Sequence, residues 1–162
     1  MLKPIFEKRL PNHLEELKII DCKLHSSLIT QLMTEMLERS QLRALSLVNV
    51  HHSPESFDLV IQYLQESQNI KELDLSWNIV KPTSWLKFLD VMSENRQLVC
   101  LTLAFNKFLE DQNYKVSMED RHQGINEVYL TPHNKRAIEN FKDFVKYNPN
   151  LIHLDLQYTG LM

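Results

Sequence analysis

The sequence predicts an α/β fold in which one strand and one helix alternate along the chain. Three observations indicate this fold. Apolar positions recur at intervals of 28 residues, the residues at those positions alternate with polar ones as in a half-buried strand, and the intervening segments follow a helical period. Strands that are separated by a helix and point the same way form a parallel sheet with right-handed crossovers.

The strand segments share one pattern, with apolar residues at relative positions 0, 3 and 5. In the copy IKELDLSWNIV, residues 70–80, Leu73 and Leu75 alternate with Asp74 and Ser76. Copies begin at 14, 42, 70 and 98, each 28 residues after the last, and a further clear copy begins at 151. Equal intervals of this kind are hard to obtain by chance. We therefore predict one domain over residues 1–162 with five clear repeats.

The interval from 98 to 151 is 53 residues long and allows two interpretations. One repeat could carry a long insertion, or a degenerate extra repeat could begin near 125, in the segment INEVYLTPHN. We favour the degenerate repeat, because it divides the interval into 27 and 26 residues. The preceding acid-rich stretch, 109–124, lacks helical amphipathicity and predicts an irregular connection, with a partner-specific loop as the functional alternative.

The segments between the strands predict amphipathic helices whose apolar faces form the core. Ser53 before Pro54 and Glu55 is typical of a helix start, and Pro82 indicates the next one. Spacings of three and four residues place each apolar set on one helix face. The four sets are Ile29, Leu32, Met33 and Met36; Phe57, Val60, Ile61 and Leu64; Trp85, Phe88, Leu89 and Met92; and Ile138, Phe141, Phe144 and Val145.

The repeated pattern LxxLxLxx(N/C)xL, followed by a helix, resembles the leucine-rich repeat, and the 28-residue period looks most like the ribonuclease-inhibitor-like subfamily. The resemblance implies a right-handed β-α superhelix, or solenoid, with a parallel sheet on the concave face and helices on the convex face. The family's asparagine is present as Asn78 and Asn106, but Val50 stands at that place in the second repeat. A valine cannot bond to the backbone, so we expect a neighbouring repeat to satisfy the amides there.

Alternate strand side chains, at relative positions 2, 4 and 6, are expected on the concave face, with position 7 at its edge. Position 7 holds Trp77, Phe105 and Tyr158, which predicts an exposed aromatic column. The simpler alternative is that these rings pack on each other or on a loop and that the nearby acids are only solvated. The candidate protein-binding residues are Glu72, Asp74, Trp77, Thr102, Phe105, Asp155 and Tyr158.

Composition argues against several classes of function. A net charge of −3 without a basic stripe disfavours nucleic-acid binding, and two glycines leave no phosphate-binding glycine loop. The seven histidines and two cysteines show no zinc spacing, and no nucleophile stands in a catalytic motif. Asp74 and Asp155 are expected to lie too far apart for paired-carboxylate catalysis. We therefore predict no catalysis, metal or cofactor.

No stretch approaches the roughly 20 apolar residues of a membrane span. Two distant cysteines indicate a reducing compartment, so we predict a cytoplasmic protein. The predicted function is a noncatalytic scaffold that binds another protein, one with a basic surface, through its sheet and aromatic edge. The alternatives are an architectural subunit of a large assembly and a regulatory subunit resembling a GTPase activator. The last repeat ends just past its strand, so we expect a fragment of a longer solenoid.

Overall fold

The computed structural model describes residues 13–22, 24–39, 41–50, 52–109 and 131–160, and within them strands and helices alternate as the sequence predicts. The strands are short, and the helices between them are three to four turns long. The elements are β1 (Glu16–Ile20), α1 (Ser26–Arg39), β2 (Ala44–Val48), α2 (Pro54–Glu66), β3 (Glu72–Asp74), α3 (Pro82–Glu94), β4 (Cys100–Thr102), α4 (Pro132–Tyr147) and β5 (His153–Asp155).

The five strands form one parallel sheet in the order β1-β2-β3-β4-β5. Equivalent positions of the sequence repeat pair directly: Leu45 lies opposite Leu73, Leu73 opposite Leu101, and Leu101 opposite Leu154. The prediction of an α/β fold with a parallel sheet is therefore confirmed. The register also means that residues at one relative position form a row across the sheet.

The pairing of β4 with β5 bears on the 53-residue interval. These strands are direct neighbours in the described sheet. Residues 110–130, which include the acid-rich stretch and most of the predicted degenerate repeat, lie outside the described residues. His133, which that prediction placed after a strand, lies in the first turn of α4. The choice between a degenerate repeat and one repeat with a long insertion stays a prediction.

One face of the sheet packs against the helices and forms the core. Leu73 and Leu75 are buried there together with the apolar faces of α1, α2 and α3. An aromatic cluster lies at the centre, where the ring of Trp85 contacts Phe57, Phe88 and Phe108 at centroid distances of 4.8, 5.3 and 4.4 Å. The core leucines of β1 and β5 are only half-buried, because each of these strands has one neighbour among the described strands.

The apolar face of α4 differs from the predicted one. Ala137 and Phe144 are fully buried, but Val145, which was expected in the core, is 43% exposed. Among the described helices α4 contacts α3 alone, and Val145 lies on a side of α4 that no described helix covers. Helix starts agree with the sequence: the Ser53 side chain accepts a hydrogen bond from the Ser56 amide, and α3 begins at Pro82.

Two buried asparagines tie adjacent repeats together just beyond the strands. Asn78 Nδ2 donates to the carbonyls of Leu47 and Leu75, each at 2.7 Å, and its Oδ1 accepts the Val50 amide at 3.0 Å. The expectation that a neighbouring repeat satisfies the backbone at Val50 is therefore confirmed. Asn106 makes the equivalent bonds one repeat later, and its Oδ1 accepts the Asn78 amide at 2.8 Å. We call this pair the asparagine ladder.

His52 occupies a core position that Val80 and Phe108 fill in later repeats. Its ring meets Phe57 edge-on at 5.4 Å, and neither ring nitrogen has a hydrogen-bond partner among the described residues. Burial disfavours the charged imidazolium and lowers the pKa of His52 from its usual 6.5 to about 4.

A pH dependence of stability follows from His52. Between pH 6.5 and 4 the unfolded chain binds a proton that the folded chain does not, so the free energy of unfolding falls as the pH falls. We expect His52 to remove about 2–3 kcal/mol between pH 7 and 4.5, measured by urea unfolding. In His52→Phe this contribution should vanish while the contact with Phe57 remains. Equal pH dependence in the two proteins would contradict the assignment.

Candidate functional site

The residue at relative position 7 adopts the left-handed backbone conformation in the turn that follows each of the five described strands. The φ angles are 54° at Asp21, 50° at Asn49, 60° at Trp77, 58° at Phe105 and 56° at Tyr158. Aspartate and asparagine tolerate this conformation, but a bulky side chain there costs roughly 1–2 kcal/mol. Glycine would avoid that cost, yet three of the five turns carry an aromatic residue.

The turns of Trp77 and Phe105 are held in place by hydrogen bonds to the next strand of the sheet and by the asparagine ladder. The Trp77 amide donates to the Ala104 carbonyl at 3.0 Å, and the Phe105 amide donates to the Gln157 carbonyl at 2.7 Å. Asn78 and Asn106 follow directly and fix the next residue of each turn. Hydrogen bonds on both sides of the left-handed residue therefore hold the Trp77 and Phe105 turns.

The three aromatic side chains form one exposed stack, which we call the aromatic strip. The rings of Trp77 and Phe105 are stacked at 3.9 Å, and those of Phe105 and Tyr158 at 4.7 Å, with interplanar angles of 15° and 22°. Trp77 is 53% exposed and Tyr158 is 78% exposed, whereas Phe105 between them is half-buried. The rings therefore pack on each other, as the simpler alternative held, and also present apolar surface to solvent.

The strip is confined to β3, β4 and β5. On the β1–β2 side the same row holds Asp21 and Asn49, and Asn49 Nδ2 donates to the Asp21 carboxylate at 2.8 Å. One edge of the sheet is thus polar over two strands and aromatic over three.

A row of polar residues runs beside the strip, with Asp74, Thr102 and Asp155 paired across β3, β4 and β5. Asp74 Oδ1 accepts the Ser76 amide at 2.9 Å and its hydroxyl at 2.6 Å, and Asp155 Oδ1 accepts the Gln157 amide at 3.0 Å. Two strand spacings separate the two acids, about 9–10 Å. This separation is smaller than the sequence predicted, because the predicted degenerate repeat would have added another strand between the two acids.

Two further observations correct or extend the sequence analysis. Ser76 and Ala104, expected on the open face at position 6, are buried, because the strand alternation ends where the left-handed turn begins. Ile79 is 80% exposed in the same turn as Trp77 and was not among the candidates. An apolar residue in a turn that is expected to be polar was the feature of the sequence that could have identified Ile79.

The described residues contain no cluster of histidine, cysteine or acidic side chains that could hold a metal ion. No helix in the described ranges has the length and apolarity needed to cross a membrane. Cys22 is exposed and Cys100 half-buried, and both are free thiols.

The structure thus places all seven predicted residues on three adjacent strands and the turns that follow them. Glu72 is exposed, and Thr102 and both aspartates are half-buried. Comparison with known proteins found no family model that matches the chain and no similar curated protein. A functional assignment therefore depends on the chemistry of these residues.

The energetic cost of the aromatic strip can be measured at Tyr158. Tyr158→Gly removes a stacking contact worth about 0.5–1.5 kcal/mol but also relieves the left-handed backbone, so we expect a free energy of unfolding within about 1 kcal/mol of wild type. Tyr158→Ala loses the stack and keeps the strain, and should be about 1 kcal/mol less stable than the glycine variant in denaturant unfolding. An alanine variant as stable as the glycine variant would show that the turn is unstrained.

Proposed function

We propose that this chain is a noncatalytic protein-binding module of the leucine-rich-repeat type, a right-handed β-α solenoid with a concave sheet and convex helices. The proposed binding surface is the aromatic strip together with the adjacent row of Asp74, Thr102 and Asp155. The observation that carries the proposal is the exposed aromatic stack: three rings stand in strained turns at the surface when glycine would be easier to place there.

Two features support the leucine-rich-repeat assignment. The 28-residue sequence period coincides with the strand register, so that each repeat adds one strand to the sheet. The asparagine ladder bonds the turn after β3 to the turn after β2 and the turn after β4 to the turn after β3, which suits a structure whose repeats are stabilised by their neighbours.

Physical chemistry favours recognition as the use of this surface. Aromatic side chains are the commonest binding anchors, and backbone strain is retained where a function requires the side chain. The stack is held before any partner arrives, so less conformational entropy is lost on binding. Two free thiols agree with a reducing compartment, and we propose that the protein acts in the cytoplasm.

The proposal predicts that binding depends on the strip while folding does not. The full chain would serve as bait in an affinity capture with quantitative mass spectrometry, beside Trp77→Ala and Phe105→Ala. Truncating a binding anchor costs about 2–4 kcal/mol, so we expect recovery of specific partners to fall at least tenfold in both variants.

Tyr147→Ala is the matched control, because Tyr147 is a similarly exposed aromatic residue on α4, away from the strip. It should recover partners at the wild-type level, and thermal melts should confirm that all variants fold. Unchanged recovery in both strip variants would show that the proposed surface is wrong.

A further inference from the structure

We infer that the partner presents an arginine whose guanidinium group lies over Thr102, between the carboxylates of Asp74 and Asp155, while apolar groups beside it cover the aromatic strip. This inference rests on the proposed function and names the chemistry that the same surface recognises. The surface next to the exposed stack carries oriented negative charges that suit such a cation.

The two carboxylates are oriented before binding. Each is held by its Oδ1 atom, Asp74 by Ser76 and Asp155 by Gln157, and their Oδ2 atoms accept no hydrogen bond within the described ranges. They lie on either side of the Thr102 strand, about 9–10 Å apart by strand spacing. A planar cation with donors on both sides can bond to both carboxylates at once. A single carboxylate on a mobile side chain would not hold a cation in one orientation in this way.

The charges around this position are unbalanced. Glu72 adds a third negative charge on β3, and in the part of the chain that the structure describes none of the three acids forms a salt bridge. Lys18 lies in the same row of the sheet on β1, where it pairs with Glu16 and is also attracted by Glu72, and Arg136 pairs with Asp90 on the helices. A cation from a partner would supply the missing charge, whereas a phosphate-bearing ligand would be repelled.

The two separated carboxylates favour arginine over lysine. A guanidinium group stacks on aromatic faces and bonds to carboxylates in a fixed planar geometry, whereas an ammonium group is a strongly hydrated point charge. The aromatic strip begins only three residues after Asp74 along β3 and its turn, so the apolar groups that cover it can lie directly beside the arginine.

The test uses the full chain and two capped probe peptides, tetra-arginine and tetra-lysine, followed by the amide NMR signals of Thr102 and Trp77. We expect the arginine peptide to bind at least threefold more tightly than the lysine peptide and to weaken as NaCl is raised. Asp74→Asn combined with Asp155→Asn keeps the Oδ1 acceptors but removes the charges, and should weaken arginine binding at least tenfold. Asp58→Asn, at an exposed helix pair with Lys87, is the control and should bind as wild type.

Binding that is equal for the two peptides, or unchanged in the double asparagine variant, would overturn the inference. The proposed function is judged separately, by partner capture. If capture requires Trp77 but tolerates the double asparagine variant, the strip is a docking surface and the arginine is wrong. If capture does not require Trp77, the proposed function itself fails.

Discussion

Asn106→Leu is expected to destabilise the fold by about 3–5 kcal/mol, because several buried polar groups lose their partners at once. The side chain donates to the carbonyls of Leu75 and Leu103 and accepts the Asn78 amide, all at 2.8 Å. Leucine has a similar volume, so the effect isolates hydrogen bonding from packing. Urea unfolding followed by circular dichroism measures the change.

Asn150→Leu provides the matched control. Asn150 is exposed and donates one bond, to the Arg96 carbonyl at 2.9 Å, so the same substitution should cost less than about 1 kcal/mol. Equal, small losses in the two variants would mean that the asparagine ladder does not hold the turns. A large loss only in Asn106→Leu would show that contacts between repeats carry much of the stability.

Truncation of the two tryptophans is expected to lower the free energy of unfolding by very different amounts. Trp85→Ala should cost about 3–5 kcal/mol, since the ring is fully buried among Phe57, Phe88 and Phe108 and its loss leaves a cavity. Trp77→Ala removes a half-exposed ring with one stacking partner and should cost about 1 kcal/mol. Denaturant unfolding of the two variants under the same conditions gives the comparison.

Partner capture should show the reverse order once folding is taken into account. Trp77→Ala should lose its partners while folded, whereas Trp85→Ala, assayed at low temperature where it remains folded, should retain them. A Trp77→Ala loss of stability as large as that of Trp85→Ala would place Trp77 in the structural core and remove the basis of the aromatic strip as a binding surface.

The strip shows why stability alone does not explain this surface. Asp21 and Asn49 adopt the left-handed conformation in the first two repeats, at little energetic cost to the backbone. In the next three turns the same conformation carries a large ring. Asn78 and Asn106 hold the turns of Trp77 and Phe105, so the fold tolerates the rings there without requiring them, which agrees with the binding role that we propose.

Much of the fold and of the candidate site could be predicted from residue type and spacing. The alternation of Leu73 and Leu75 with Asp74 predicted the buried face correctly, and the shared offset of Trp77, Phe105 and Tyr158 predicted one column. Burial of Ser76 and exposure of Val145 were missed. Each depends on local coverage, by a turn in one case and by a neighbouring helix in the other, which periodicity does not report.

The sequence by itself determined the alternation of strand and helix, the apolar residues of the first three helices and the row to which each strand side chain belongs, because these depend on local periodicity. Tertiary structure decided that β4 and β5 are neighbours across the 53-residue interval, which brings Asp155 and Tyr158 beside Thr102 and Phe105. It also decided that the rings stack in left-handed turns. Both outcomes depend on hydrogen bonds between residues far apart in the chain, which no local pattern specifies.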